Sequence, residues 1–223
     1  MKTLIHSMAF FAIATLSAQA QNSAFDNLEA FGNSRGKALL KRTVAITGAM
    51  GQHQPAQWLL LSKDVNVSNL VHEYAMKKGK VVAERHFTST PEQRMPTKAM
   101  PLDRLNIDSE AAFQTANRTA AKSHIGFDSI NYLLRIQPNG STPVWTLTLI
   151  DQQKKIVGVI FISASSGKLL SKKWYHPGTV EYTEINSRSA ADELKNIWNK
   201  SINSVSKGIK KLDKKIGEKL NKK

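Results

Sequence analysis

The 223-residue sequence contains no cysteine, and this absence removes several classes of protein at once. Disulfide frameworks, zinc ribbons, iron–sulfur clusters and cysteine nucleophiles all need thiols. A lipid carried on a cysteine near the N terminus is excluded for the same reason. Aromatic residues are also scarce, at 7% of the chain. Hydrophobic residues at 41% and charged residues at 22% are nevertheless an ordinary globular mixture, which favours a folded body.

Long apolar runs are missing as well, and the one short run lies near the N terminus. Lys2 precedes the apolar segment Met8–Leu16, and Ala18-Gln19-Ala20 then provides small residues before a cut, as in a signal peptide. The segment is too short to cross roughly 30 Å of hydrocarbon, and no later run approaches the ~18 residues that a span needs. We expect cleavage after Ala20 and export, either to the periplasm or into the medium.

Basic residues outnumber acidic residues, and the excess positive charge is unevenly distributed along the chain. The chain has 32 Lys+Arg against 17 Asp+Glu, a formal net charge of +15. The last 35 residues, 189–223, contain ten lysines and four acidic residues and therefore carry +6. Since one charge lies in the signal peptide, the 168 residues between the two segments carry the remaining +8. The sequence indicates a modestly basic body with a strongly cationic tail.

The tail has the pattern of a basic amphipathic helix. At about 100° per residue, its apolar side chains fall within an arc of roughly 80°, and the lysines cover the rest of the surface. Ser189 is a suitable N-cap, but Gly208, Gly217 and several asparagines weaken the helix, so we expect it to form fully on docking. We call the following residues the apolar stripe: Leu194, Trp198, Ile202, Val205, Ile209, Leu212, Ile216 and Leu220.

Three roles are open for this tail. A basic amphipathic helix can bind an anionic membrane surface or an acidic glycan, or it can dock on a protein partner, including a second copy. Its stripe can also pack against the chain's own sheets. We expect no nucleic-acid partner, because the sequence has no groove-reading or ribonucleoprotein motif. The candidate binding residues are Trp198, Lys200, Lys207, Lys210, Lys211, Lys214, Lys215 and Lys219.

The body divides into two predicted α+β modules, 21–90 and 108–175, joined by a proline-containing linker, 91–107. In the first, short helices interrupted by Gly32 and Gly36 precede antiparallel strands, and Lys77-Lys78-Gly79 predicts a tight hairpin turn. In the second, a helix capped by Asp108 or Ser109 runs to about His124, where Gly126 stops it, and an antiparallel meander follows. Each helix is expected to cover one face of its meander.

The two modules share one spacing. Trp58 is followed six residues later by Asp64, and Trp145 is followed six residues later by Asp151, each pair on a predicted strand that ends in a turn. This coincidence makes the second module a candidate duplicate of the first. Both tryptophans are better explained as structural strand residues than as ligand-binding groups.

The second module resembles a PepSY or PepSY-like domain over about sixty residues. The resemblance lies in the predicted helix followed by Trp145, the acidic turn residue Asp151, the apolar strand Val157–Ile162 and Gly167-Lys168. The first module matches only through Pro55, Trp58, Asp64 and Gly79. The resemblance implies a small, exported, non-catalytic α+β domain of the bacterial cell envelope, of a kind proposed in some relatives to restrain a protease.

Catalytic constellations are weak in this sequence. His72-Glu73 begins a zinc-protease pattern, but Met76 stands where the second histidine belongs, and a strand would point the pair to opposite faces. Three Ser/Lys spacings occur, which a lysine-rich chain produces readily, and there is no glycine-rich phosphate loop. We therefore expect neither an enzyme nor a cofactor or metal site. The alternatives are a PepSY-like protease regulator and a hydrolase whose titratable cluster only folding assembles, around His72 or His124. The spacings are Ser34/Lys37, Ser165/Lys168 and Ser204/Lys207.

Overall fold

The structure is a computed structural model in which residues 22–88, 96, 98–137 and 140–175 are described. It is an α+β fold with antiparallel meanders, as the sequence predicts, but the strands of both predicted modules form one large sheet. The predicted signal peptide, most of 89–97 and the whole tail 189–223 lie outside the described residues. Within the described part of the chain, no helix is both long and apolar enough to cross a membrane.

The first half of the described chain consists of two helices followed by four strands. Ser23 caps the first helix through a capping box, in which its hydroxyl accepts from the Asp26 N–H while the Asp26 carboxylate accepts from the Ser23 N–H. The elements are α1 (Ala24–Arg35), α2 (Lys37–Leu40), β1 (Thr43–Gly51), β2 (Trp58–Lys63), β3 (Leu70–Lys77) and β4 (Lys80–Thr88).

The second half repeats this order with one main helix and four strands. A 3₁₀ turn, Leu102–Arg104, precedes the helix. The elements are α3 (Ser109–Ala121), β5 (Ser129–Ile136), β6 (Pro143–Ile150), β7 (Ile156–Ser163) and β8 (Leu169–Trp174).

Two glycine predictions in the helices are wrong in detail. Gly32 does not interrupt α1, because it lies where the helix meets Leu40, and a Cβ there would come within 2.7 Å of the Leu40 side chain. The helix ends instead at Gly36, which has a φ of +91°. In α3 the regular turns end at Ala121, and the residue with a left-handed φ, +54°, is His124 rather than Gly126.

The eight strands form one sheet in the order β4-β3-β2-β1-β5-β6-β7-β8. Every neighbouring pair is antiparallel, and the halves meet where β1 pairs with β5, with Ile46 opposite Leu134. The two predicted modules are thus continuous through one sheet. Their elements are arranged about its centre, with β4 and β8 at equivalent edges.

The main core lies between the helices and one face of the sheet, which we call the helix face. Phe31 of α1, Leu40 of α2 and Ala116 of α3 all contribute to it. The strands contribute the following buried side chains: Ile46, Trp58, Leu60, Tyr74, Met76, Ile130, Tyr132, Leu134, Trp145, Leu147, Leu149, Ile160 and Ile162. Because side chains alternate along a strand, these residues define the alternation for the whole sheet.

The opposite face, which we call the open face, carries a second and smaller cluster. It comprises only strand residues: Val44, Ala45, Leu61, Val71 and Leu133, with Phe87 packed against them. Along β5, the alternate residues Ile130, Tyr132 and Leu134 lie on the helix face. Leu133 and Arg135 on the other side are nevertheless buried as well.

Candidate functional site

The binding residues predicted from the sequence belong to the tail and lie outside the described residues. The described residues therefore test the predictions made for the folded body and not those made for the tail. The structure shows where the body's tryptophans, acidic turn residues, histidines and serines lie and which of them come together.

Trp58 and Trp145 occupy equivalent places in the two halves. Both are almost fully buried on the helix face, with ring centroids 6.4 Å apart. The Trp58 indole N–H donates to the Asn22 carbonyl at 2.9 Å, and the Trp145 indole N–H donates to the Ile107 carbonyl at 2.7 Å. Asn22 and Ile107 each lie two residues before the first residue of a helix. Each tryptophan therefore ties a strand to the chain entering the helix that covers it.

The acidic residues that follow the tryptophans organise turns. Asp64 directly follows β2, and its Oδ1 accepts the N–H groups of Asn66 and Val67 at 2.8 and 3.0 Å. Asp151 follows β6, and its Oδ1 accepts the Lys155 N–H at 2.8 Å. Carboxylates that bond to nearby backbone N–H groups stabilise such turns locally. The shared spacing thus corresponds to a shared structural role.

The N termini of α1 and α3 meet at one carboxylate. Asp108 Oδ1 accepts the Ser109 N–H at 2.6 Å and, across 83 residues of sequence, the Phe25 N–H at 3.0 Å. The Ser109 hydroxyl accepts the Ala24 N–H at 3.0 Å. The first N–H groups of a helix have no intrahelical partners and carry a partial positive charge. A single acidic residue therefore caps both helices and holds them together.

Further polar groups extend this site, which we call the polar junction: His53, Gln54, Asp108, Ser109, Glu110 and Tyr132. His53 Nε2 lies 2.9 Å from the Glu110 carboxylate, and both side chains are about half exposed. The Tyr132 hydroxyl donates to the His53 carbonyl. Burial, with the Glu110 charge as a second cause, raises the pKa of Tyr132 well above its usual range.

The chemistry of the polar junction is that of a structural network. The buried Ser109 hydroxyl donates to the Gln54 amide oxygen at 2.8 Å. Asp108 Oδ1 lies farther from this hydroxyl, at 3.3 Å, and already accepts two backbone N–H groups, so the shorter contact directs the serine proton to a weakly basic amide. The sequence predicts Asp108 or Ser109 as a helix cap but carries no signal that joins either of them to His53, Gln54 or Tyr132. His53 and Gln54 lie more than fifty residues from the other members along the chain, and the antiparallel pairing of β1 with β5 brings their segments together.

Around His72 the structure brings together three residue types that hydrolases use. His72 Nε2 lies 2.9 Å from Asp64 Oδ2, and Ser62 is the cross-strand neighbour of His72. The hydrogen bond with His72, followed by the two backbone N–H groups, lowers the pKa of Asp64 to about 2. The Ser62 side chain, however, is 0% exposed, and among the described residues its hydroxyl has no hydrogen-bond partner. This geometry provides neither a base for Ser62 nor access for a substrate.

The other catalytic patterns are separated by the fold. Glu73 points to the open face, where its carboxylate pairs with the Arg85 guanidinium at 2.9 Å, while His72 points to the helix face. Ser34 donates to the Phe31 carbonyl, and Ser165 shares a hydrogen bond with Ser163. Among the described residues, no group of three or more acidic or histidine side chains is arranged to hold a metal ion. Ser204 and Lys207 lie outside the described residues.

Comparison with known proteins adds one structural likeness. No protein-family profile matches the chain, and no curated protein matches it by sequence. Among solved structures, it is similar to a protein of Clostridium difficile 630 named a putative lipoprotein, with a TM-score of 0.46 and 12% identity. The match covers 69% of this chain and 93% of that one.

Proposed function

We propose that this chain is an exported, non-catalytic binding protein of the bacterial cell envelope or secretome, which holds an anionic surface through its cationic tail. The observation that carries the proposal is the concentration of charge: +6 within the 35 residues 189–223. The signal-peptide pattern at residues 1–20 supports export.

The folded body supports a scaffolding role in this proposal. Its polar junction is internally hydrogen-bonded, and Ser62, the cross-strand neighbour of His72, is buried. The body therefore supplies a stable platform, and the lysines supply the attraction. Each lysine near an anionic leaflet contributes about 1 kcal/mol, so several acting together give firm binding at low salt.

The ligand is defined by its chemistry as a surface with closely spaced negative charges. Anionic lipid head groups and acidic polysaccharides both have this property. Because the Debye length falls to about 10 Å at 0.1 M salt, binding to either must weaken as salt rises. Vesicles with and without acidic lipid, compared with a soluble acidic glycan, distinguish the two sources.

Cosedimentation of the mature chain with vesicles tests the proposal. The mature chain should pellet with anionic vesicles but not with neutral ones, and the quadruple variant Lys210→Gln, Lys211→Gln, Lys214→Gln, Lys215→Gln should lose most of that binding. A soluble acidic glycan that releases the chain from vesicles would show that the same lysines accept both ligands.

The matched control removes four exposed lysines from the body: Lys77→Gln, Lys80→Gln, Lys122→Gln and Lys168→Gln. Both quadruple variants lose the same formal charge, so non-specific attraction falls equally in both. Retained binding in the body variant together with lost binding in the tail variant supports the proposal. Equal loss in both variants, or binding that salt does not weaken, would contradict it.

We also propose that the two halves are copies of one PepSY-like unit. Three equivalences support this: the order of helix and four strands, the indole bonds from Trp58 and Trp145 to the segments before the helices, and the turn aspartates Asp64 and Asp151. The duplication explains why β1 and β5, the first strand of each half, lie side by side at the centre of the sheet.

A further inference from the structure

The open face of the sheet is buried although the helices cover the other side. Side chains on this face are identified by their cross-strand pairing, which links Leu59 to Thr47, Thr47 to Leu133, and Leu133 to Thr146. Their exposed fractions are those of a protein interior: Ala45 0%, Val159 1%, Leu59 2%, Thr148 3%, Leu61 4%, Thr146 5%, Val71 5%, Thr47 6% and Leu133 9%.

No described element accounts for this burial. The helices α1, α2 and α3 place their apolar residues in the helix-face core, and the open-face cluster consists only of strand residues. The described part of the linker runs along the ends of strands, where the Met100 N–H donates to the Thr43 carbonyl and the Ile107 N–H to the Ala164 carbonyl. Among the described residues, nothing forms a layer over the open face.

We propose that the apolar stripe of residues 194–220 packs on the open face as a second covering layer. A sheet face of this composition is stabilised by burying it under another element. The lysines of the tail then face the solvent, where the proposed anionic surface is met. The proposal does not depend on the anionic ligand, because it concerns the stripe and not the lysines.

The length of the tail suits this position. Eight strands at about 4.8 Å spacing span roughly 34 Å, and the 27 residues of the stripe extend about 40 Å as a helix. The undescribed segments 89–95 and 138–139 are too short for this task, and the signal peptide is expected to be removed. Residues 176–223 are the one remaining undescribed segment of sufficient length.

The path from the body to the face is also short enough. Strand β8 ends at Trp174 on one edge of the sheet, and the stripe begins at Leu194. The nineteen intervening residues can extend up to about 60 Å, well beyond the width of the sheet. The tail can therefore cross the open face in either direction.

The open face of the sheet and the apolar stripe of the tail have complementary chemistry. The centre of the open face is apolar, with Ala45, Leu61 and Leu133, and it is flanked by threonines that lack charge. Its charged residues include Arg135, which is buried opposite Ala45, and Glu73 and Arg85, which pair with each other toward the β4 edge. An apolar stripe about 80° wide, bordered by lysines that reach outward, fits such a surface.

Thiol protection in the full mature chain tests the proposal. The chain has no cysteine, so Thr148→Cys places a single probe on the open face, where Thr148 is 3% exposed. We expect this thiol to react with a maleimide at least about tenfold more slowly than in the unfolded chain, because labelling needs local opening. The double variant Ile202→Asp, Ile209→Asp should remove that protection.

The matched control is the double variant Asn196→Asp, Asn203→Asp. In each double variant the two substituted residues are seven positions apart, and both variants add the same charge. The asparagines, however, lie opposite the stripe on the predicted helix. The control variant should retain the protection. A second probe, Ala116→Cys under α3, should stay protected throughout; if the aspartates expose it, Ile202→Ser, Ile209→Ser replaces them.

Three outcomes would overturn the proposal. The Thr148→Cys thiol could react freely in the unaltered tail background, or its protection could survive the stripe variant. Protection that rises with protein concentration, together with a dimer in native mass spectrometry, would show that a second copy covers the face. Protection lost only in the stripe variant, in a monomer with Ala116→Cys still protected, supports the proposal.

Discussion

At the scale of single residues, the two tryptophans show how one side chain can combine packing with a directed hydrogen bond. Each indole fills the helix-face core and also satisfies a carbonyl of the segment that enters a helix. An apolar ring of similar size can provide only the first contribution. The sequence pattern alone, a tryptophan on a strand, indicates packing but cannot reveal the carbonyl partner.

The variants Trp58→Phe and Trp145→Phe should each lower the free energy of unfolding by about 2 to 3 kcal/mol. The reason is the loss of buried volume together with a carbonyl left without its donor. The measurement is urea unfolding followed by circular dichroism. Trp174→Phe, at a partly buried position on β8, should cost clearly less. A loss at only one of the two core positions would argue against equivalent roles and weaken the proposal of duplication.

At the scale of elements, capping determines where the helices begin, and long-range contacts determine how they sit. Ser23 and Asp108 cap the starts of α1 and α3, and of these two caps the sequence predicts Asp108. The joint cap at Asp108 does not follow from the sequence, since Phe25 lies 83 residues away. The helix ends also depend on tertiary contacts, as Gly32 shows by remaining helical against Leu40.

Asp108→Ala should lower the free energy of unfolding by about 2 kcal/mol, because it removes acceptors from two helix N termini at once. Ser23→Ala removes one cap and should cost about half as much. Asp108→Asn keeps an acceptor oxygen and should recover part of the loss. Thermal and urea unfolding provide the comparison, with Asp103→Ala as an exposed acidic control. Equal effects from Asp108→Ala and Asp103→Ala would contradict the joint cap.

At the scale of the whole molecule, local patterns predict the elements, and non-local contacts decide their assembly. Alternation and turn residues such as Lys78 and Gly79, both with positive φ, predict the strands and the β3–β4 hairpin. The pairing of β1 with β5 joins residues 85 positions apart, as in the bond from the Thr47 hydroxyl to the Tyr132 carbonyl. No short-range signal encodes that pairing, and the same holds for the polar junction.

The burial of the open face is the least predictable feature of the molecule. Threonine, asparagine and arginine on alternate positions of β5 and β6 indicate a solvent-facing side, whereas Asn131, Arg135 and Thr148 are nearly inaccessible. Burial lowers the pKa of Arg135 to about 10, which leaves its guanidinium charged at neutral pH. In our proposal, the apolar stripe of the tail forms a second layer over this face, and the lysines of the tail form a cationic outer surface.

The most direct test of that account is the reactivity of the Thr148→Cys thiol while the mature chain is bound to anionic vesicles. If the lysines hold the surface and the stripe stays on the sheet, the chain pellets with the vesicles at low salt and the thiol remains as protected as it is in solution. A thiol that becomes reactive on binding would contradict the account, since the stripe would then have left the open face for the membrane.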